Sequence, residues 1–110
     1  MKSVTHVYLY ENGEKFFGEG PYRLLKGIER TGSLRQAAQE MNMSYSKASI
    51  ILNKAEKALT FPLTEKRIGG RGGGGSQLTL EAKGFLKRYE KYREACYEAN
   101  SRIYHEIFSE

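Results

Sequence analysis

Residues 4–10 alternate: Val4, His6, Tyr8 and Tyr10 share one side of an extended chain, and Thr5, Val7 and Leu9 the other. A β-branched and aromatic run with that period predicts a strand. Glu11-Asn12-Gly13-Glu14 then predicts a turn, because Asn-Gly tolerates the positive φ of a tight hairpin. Lys15-Phe16-Phe17 follows as a short return strand, so an N-terminal β-hairpin is expected over 4–17. Gly18-Glu19-Gly20 breaks the alternation, and the period changes. Pro21 suits the first turn of a helix, where its missing N–H is no loss. Leu24, Leu25 and Ile28 recur at helical spacing up to Thr31-Gly32, which predicts a helix over 21–31.

The next apolar positions predict two more helices close together, over 33–60. Ser33 and Gln36 form the S-x-x-Q capping box, and Leu34, Ala37, Ala38 and Met41 point inward behind it. Asn42-Met43 turns the chain, with Asn42 suited to a left-handed conformation. Ser44 caps a helix reaching about Leu59, with Ala48, Ile51 or Leu52, Ala55 and Leu59 on its buried stripe. Pro62 prevents its continuation. Two short β-like runs, Leu63–Ile68 and Gln77–Leu80, flank Gly69-Gly70-Arg71-Gly72-Gly73-Gly74-Gly75-Ser76 and predict a hairpin over 63–80 with a glycine-rich tip.

From Glu81 to Phe108 no Pro and no Gly after Gly84 interrupts a helix, which at 1.5 Å per residue would reach about 42 Å. Ala82, Phe85, Tyr89, Tyr92, Cys96, Ala99 and Ile103 are spaced alternately three and four apart, and Ile107 follows four later. That is a heptad stripe. A core this small cannot cover a stripe so long, so the helix is expected to pair with its copy in a two-fold homodimer, antiparallel or crossed. The fold expected is mainly α with a small β component. It is a winged helix-turn-helix domain over 1–80 with an N-terminal β-hairpin, followed by a long C-terminal dimerisation helix over 81–108.

A chain of 110 residues fits one domain and one added element. Its net charge of +5 lies wholly in residues 1–80, which hold twelve Lys/Arg and seven Glu, whereas residues 81–110 are balanced. A basic first part and a neutral tail suggest a phosphate-facing segment joined to an element with another task. No run approaches the ~20 apolar residues needed to span a bilayer, and no signal-peptide pattern opens the chain, so the cytoplasm is the expected compartment and no membrane partner is expected. The single Cys96 excludes an intramolecular disulfide framework and a cysteine-based zinc finger. His6 and His105 stand at opposite ends of the chain and Asp is absent, so neither a metal site, a cofactor nor enzymatic chemistry is expected. Gly70–Gly75 satisfies G-x-G-x-x-G in form, but the extended Gln77-Leu78-Thr79-Leu80 follows where a dinucleotide fold needs a helix. No small-molecule site is apparent.

Two capped helices joined by a short turn, with small Ala37 and Ala38 permitting a close crossing, are the sequence form of a helix-turn-helix. Its second helix enters the major groove of double-stranded DNA. Ser44, Tyr45, Ser46 and Lys47 would face base edges or phosphates, with Ser49, Ile50 and Asn53 one turn later. Arg35 adds a cation on the preceding helix. The hairpin would act as a wing, with Arg67, Arg71, Gly72 and Gly73 against neighbouring phosphates or the minor groove. The alternative is a winged-helix module that docks proteins and not DNA; an arginine among glycines argues against it.

Gly18-Glu19-Gly20, Leu24-Leu25, Thr31-Gly32-Ser33-Leu34, Ala37-Ala38, Met43-Ser44-Tyr45, Phe61-Pro62-Leu63, the glycine run and Leu78-Thr79 together resemble the N-terminal DNA-binding domain of ModE-type molybdate-responsive regulators. Gly32-Ser33, Ala37-Ala38, Met43-Ser44 and Pro62-Leu63 resemble, more loosely, the winged helix of LysR-type regulators. The resemblance covers residues 4–90. It implies a winged helix dimerised by long helices on a palindromic promoter site, with Ser44, Tyr45, Ser46, Lys47 and Ser49 facing the groove and Arg67, Arg71 and the glycines forming the wing. Ser46 and Ser49 depart from the basic and bulky residues common there, so base readout is expected to differ. The molybdate-binding domain of full-length members has no counterpart in these 110 residues, so a regulator without a ligand domain is expected and molybdate control is not carried over.

Overall fold

The computed structural model describes residues 1–67 and 75–109, and the molecule measures 59 × 29 × 25 Å. The chain opens with an antiparallel hairpin of β1 (Leu9–Glu11) and β2 (Glu14–Phe17), in which Leu9 faces Phe17 and Glu11 faces Glu14. Asn12 (φ 50°) and Gly13 (φ 79°) supply the two left-handed residues that a two-residue hairpin turn requires. The expected strand is shorter than its alternation suggested. Residues 4–8 keep the alternation, with Thr5 and Val7 half-buried and Val4, His6 and Tyr8 exposed, but they lie outside the sheet. The partner strand stops at Phe17 because a helix begins two residues later. The segment is tied to the C-terminal helix instead: the Tyr89 hydroxyl donates to the Val7 carbonyl at 2.9 Å, and Ser3 Oγ donates to Asn100 Oδ1 at 3.1 Å.

Helix α1 (Glu19–Thr31) starts slightly ahead of Pro21 and ends at Gly32, whose φ of 72° and N–H bond to the Ile28 carbonyl make a left-handed C-cap. Helices α2 (Leu34–Glu40) and α3 (Tyr45–Leu59) follow, joined by a turn in which Asn42 takes φ 55°. Strands β3 (Thr64–Lys66) and β4 (Ser76–Leu78) pair antiparallel. The Ser76 N–H donates to the Gly32 carbonyl at 2.9 Å, which ties this second hairpin to the end of α1. Helix α4 (Leu80–Phe108) starts at Thr79, whose Oγ1 accepts from the Ala82 N–H at 3.0 Å and donates to the Pro62 carbonyl at 2.8 Å.

Phe17, Leu24, Leu25, Ile28 and Leu63 are fully buried, and Ala37, Ala38, Ala48, Leu52 and Ala55 close the core from α2 and α3. Helices α1 and α2 cross tightly: a Cβ added to Gly27 would stand 2.8 Å from the Ala37 Cβ. The structure corrects the expected dimer seam. Ala82 is 0% and Tyr89 3% exposed, both inside this chain's own core alongside Leu86. Phe17 sits edge-on between Phe85 and Tyr89, with ring centroids 4.8 and 4.9 Å away. The early turns of α4 therefore cover their own domain, because the hairpin delivers Phe17 to them. Phe85, Cys96 and Ala99 are half-buried; Tyr92, Ile103 and Ile107 are exposed.

Candidate nucleic-acid interface

Ala48, Leu52 and Ala55 fasten α3 to the core, which turns its other side outward. Ser46, Lys47 and Asn53 are exposed there, Ile50 is 67% and Tyr45 47% exposed, and Ser49 is half-buried. The start of α3 is fixed by Ser44, whose Oγ accepts from the Lys47 N–H at 3.1 Å. That oxygen is thus engaged in capping, while among the described residues its hydroxyl hydrogen has no acceptor. Ser33 Oγ caps α2 in the same way through the Gln36 N–H, also at 3.1 Å. The Arg35 guanidinium lies 5.0 Å from the Tyr45 ring centroid, a cation–π contact that joins the two helix starts. Sequence reading placed both residues at the site but did not pair them, because the turn's path decides which side chains meet.

Arg67 is exposed at the root of the wing, where its N–H donates to the Gly75 carbonyl at 3.0 Å. Its guanidinium packs against Gly32 and Gly75, and a Cβ on Gly32 would collide with it. Glycine at 32 therefore serves both the left-handed φ and this close approach. Arg71, Gly72 and Gly73 lie outside the described residues.

Three acidic residues near this face are engaged within the fold, and Glu14 stands beside Ile50, Asn53, Lys54 and Lys57. Arg30 grips Glu40 through Nη1 and Nη2, the Nη1 contact being 2.8 Å, and holds its carboxyl below the usual carboxylate range. Glu56 accepts from the Leu63 N–H at 2.7 Å, and Glu65 from Gln77 Nε2 at 3.0 Å. Among the described residues, none of Arg35, Lys47, Lys54, Lys57, Lys66 and Arg67 forms an ion pair. The face around α3 thus carries cations outside any described ion pair, interleaved with hydroxyl, amide and aromatic groups.

The pattern of a bacterial regulatory helix-turn-helix protein of the LysR family matches residues 22–83, more than half of the chain. The chain belongs to this family. This LysR-family chain is also 41% identical over 68 residues to the transcriptional regulator ModE of Haemophilus influenzae. It is 34% identical over 67 residues to the DNA-binding transcriptional dual regulator ModE of Escherichia coli. These stretches are 62% and 61% of the chain but only 27% and 26% of the relatives, so the chain spans about a quarter of their length. Its fold is that of the CbnR DNA-binding domain solved in a DNA complex, with TM-score 0.61 and 17% identity over 79% of this chain and 94% of that one. The winged-helix expectation holds.

Elsewhere in this LysR-family chain, folding brings together what the sequence separates. His6 and His105 both line a groove between the N-terminal segment and α4, with Glu19, Tyr97 and Tyr104. Among the described residues no three His, Cys, Asp or Glu side chains group as metal ligands, and no helix is long and apolar enough to cross a membrane.

Proposed function

We propose that this chain is a sequence-specific, double-stranded DNA-binding transcription regulator of the cytoplasm that acts as a homodimer on a two-fold site and performs no catalysis. The observation that carries the reading is the exposed start of α3, held by Ser44 and bordered by cations that form no ion pair among the described residues. Ser46, Ser49 and Asn53 offer donors and acceptors to base edges, Ile50 an apolar contact for a thymine methyl, and Lys47 a partner for guanine or phosphate. Arg35, Lys66 and Arg67 suit the flanking phosphates. In the same reading, Arg71 supplies a further cation, and Gly72 and Gly73 supply backbone N–H groups, for phosphate. Dimerisation uses the part of the α4 stripe that its own core leaves uncovered: Tyr92, Cys96, Ala99, Ile103 and Ile107, with the rim of Phe85.

The test is a titration of a labelled promoter fragment at two salt concentrations. With about three phosphate contacts per protomer, and so about six per dimer, affinity falls by about 10³ between 50 and 200 mM salt. A salt-independent affinity refutes the proposal. Retained binding of a protein partner by a double Arg67→Ala/Arg71→Ala variant, with no DNA shift by the unmodified chain, supports the docking-module alternative.

A further inference from the structure

Helix α4 leaves the buried core near Arg93, and beyond that point the N-terminal segment accompanies it. Before that point Ala82, Leu86 and Tyr89 are buried; beyond it Ile103, Ile107 and Phe108 are exposed. At the junction the Arg93 guanidinium lies 4.2 Å from the Tyr22 ring centroid, 5.6 Å from that of Tyr89 and 5.9 Å from that of Tyr97. Its Nη1 donates to Glu19 at 3.4 Å, and its side chain is only 15% exposed. Its Nε is buried and has no hydrogen-bond partner among the described residues. Nearly a turn earlier, Glu90 accepts from the Tyr22 hydroxyl at 2.6 Å and stands 3.7 Å from Lys26 Nζ. Glu19, Tyr22 and Lys26 all belong to α1.

Burying a guanidinium with one donor unsatisfied is unfavourable, and the DNA-facing surface makes no use of it. A planar cation laid over the Tyr22 ring of α1, and flanked by Tyr89 and Tyr97 of its own helix, does, however, restrict rotation and tilt in a way that a flexible ammonium or an aliphatic side chain does not. The other ties beyond the core, Tyr89 to Val7 and Ser3 to Asn100, hold a segment that is itself outside the sheet. The Arg93 cluster joins α4 directly to α1. We propose that Arg93 is a positioning residue: by fixing the tilt of α4 on α1 it sets the separation of the two α3 helices in the homodimer, and so the spacing of half-sites the protein prefers. This rests on the dimeric DNA-binding reading above. The lever is long enough. From Arg93 to Phe108 the helix rises about 22 Å, so a tilt of about 10° moves its end by about 4 Å, close to the ~3.4 Å of one base-pair step.

The experiment uses the full chain with Arg93→Ala and Arg93→Lys. Spin labels at Lys57→Cys and Ser101→Cys in a Cys96→Ser background, diluted into unlabelled chain, report the angle between α3 and α4 within one protomer. A DNA library of two half-sites with the spacer varied by one and two base pairs reports spacing preference. In both variants the distance distribution is expected to widen and the preference for one spacing to fall from about tenfold or more to below about threefold, with single half-site affinity kept within about twofold. Arg93→Lys, which keeps the charge but not the planar stack, carries both readouts if Arg93→Ala does not fold. An unaltered distance distribution, or a widened one with unaltered spacing preference, overturns the proposal alone. An unmodified chain that selects no two-fold site overturns the dimeric DNA-binding reading as well.

Discussion

Gly27→Ala tests the packing that aims α2 and α3. Position 27 lies in the interior of α1, where replacing glycine by alanine ordinarily stabilises a helix by about 1 kcal/mol. Here the new methyl would stand 2.8 Å from the Ala37 Cβ and 3.3 Å from the Ala37 Cα. Carbon atoms prefer about 3.5–4.0 Å, and neither neighbour is the end of a flexible side chain that can swing aside. Helices α1 and α2 must move apart by roughly an ångström, an overpacking penalty of about 1–3 kcal/mol. The overpacking outweighs the propensity, and the net loss expected is about 1 kcal/mol, or about 4–8 °C in Tm for a domain this size. Urea unfolding followed by far-UV circular dichroism measures it. Gly27→Ala/Ala37→Gly moves the methyl from one helix to the other and is expected to return to within about 0.5 kcal/mol of the unmodified chain, whereas Ala37→Gly alone is destabilised, so the two changes are strongly coupled. A Gly27→Ala chain more stable than the parent, or additive free energies in the cycle, would refute the reasoning.

Three further outcomes are expected. Lys47→Ala weakens specific DNA binding by about 1–3 kcal/mol if it reads a base, or lowers the salt slope by about one if it meets a phosphate, while exposed Lys87→Ala on α4 changes neither; equal effects in a filter-binding titration would remove α3 from the interface. Tyr89→Phe removes the hydroxyl bonded to the Val7 carbonyl and is expected to lower stability by about 1 kcal/mol and speed amide exchange in residues 2–8, read by mass spectrometry; unchanged exchange there would mean the tie does not hold the segment. Because Arg30 depresses the Glu40 pKa in the folded chain, the stabilisation from that pair is present above the ordinary glutamate pKa and is lost as pH falls through the lowered one. Glu40→Gln should therefore flatten the acid limb of Tm against pH and leave the shape above about pH 6 unchanged; an unflattened acid limb counts against the pair.

Much of this arrangement is legible in the sequence because local rules govern it. Ser33 and Ser44 cap the helices that their positions predicted, Asn42 and Asn12-Gly13 take the left-handed turns, and Gly32 closes α1. The candidate surface followed from the same signals, since buried Ala48, Leu52 and Ala55 determine which side of α3 faces out. What was not legible depends on residues distant in the chain. The heptad stripe of α4 is continuous as a pattern, yet Phe17, some seventy positions away, claims Tyr89 for the core and leaves only its later members exposed. The alternation of residues 4–8 is real, but a strand needs a partner, and β2 ends too soon to provide one. Arg93 gave no signal, although Tyr89 and Tyr97 at four residues either side mark the face on which it stacks.

The uneven distribution of charge along the chain has an effect that reaches beyond contact distance. With twelve basic side chains against seven acidic ones over residues 1–80, and six against six over residues 81–110, the molecule carries a lopsided field. A polyanion several ångströms away would turn the tumbling protein before touching it, so that α3 arrives first and encounter becomes faster in dilute salt than random collision allows.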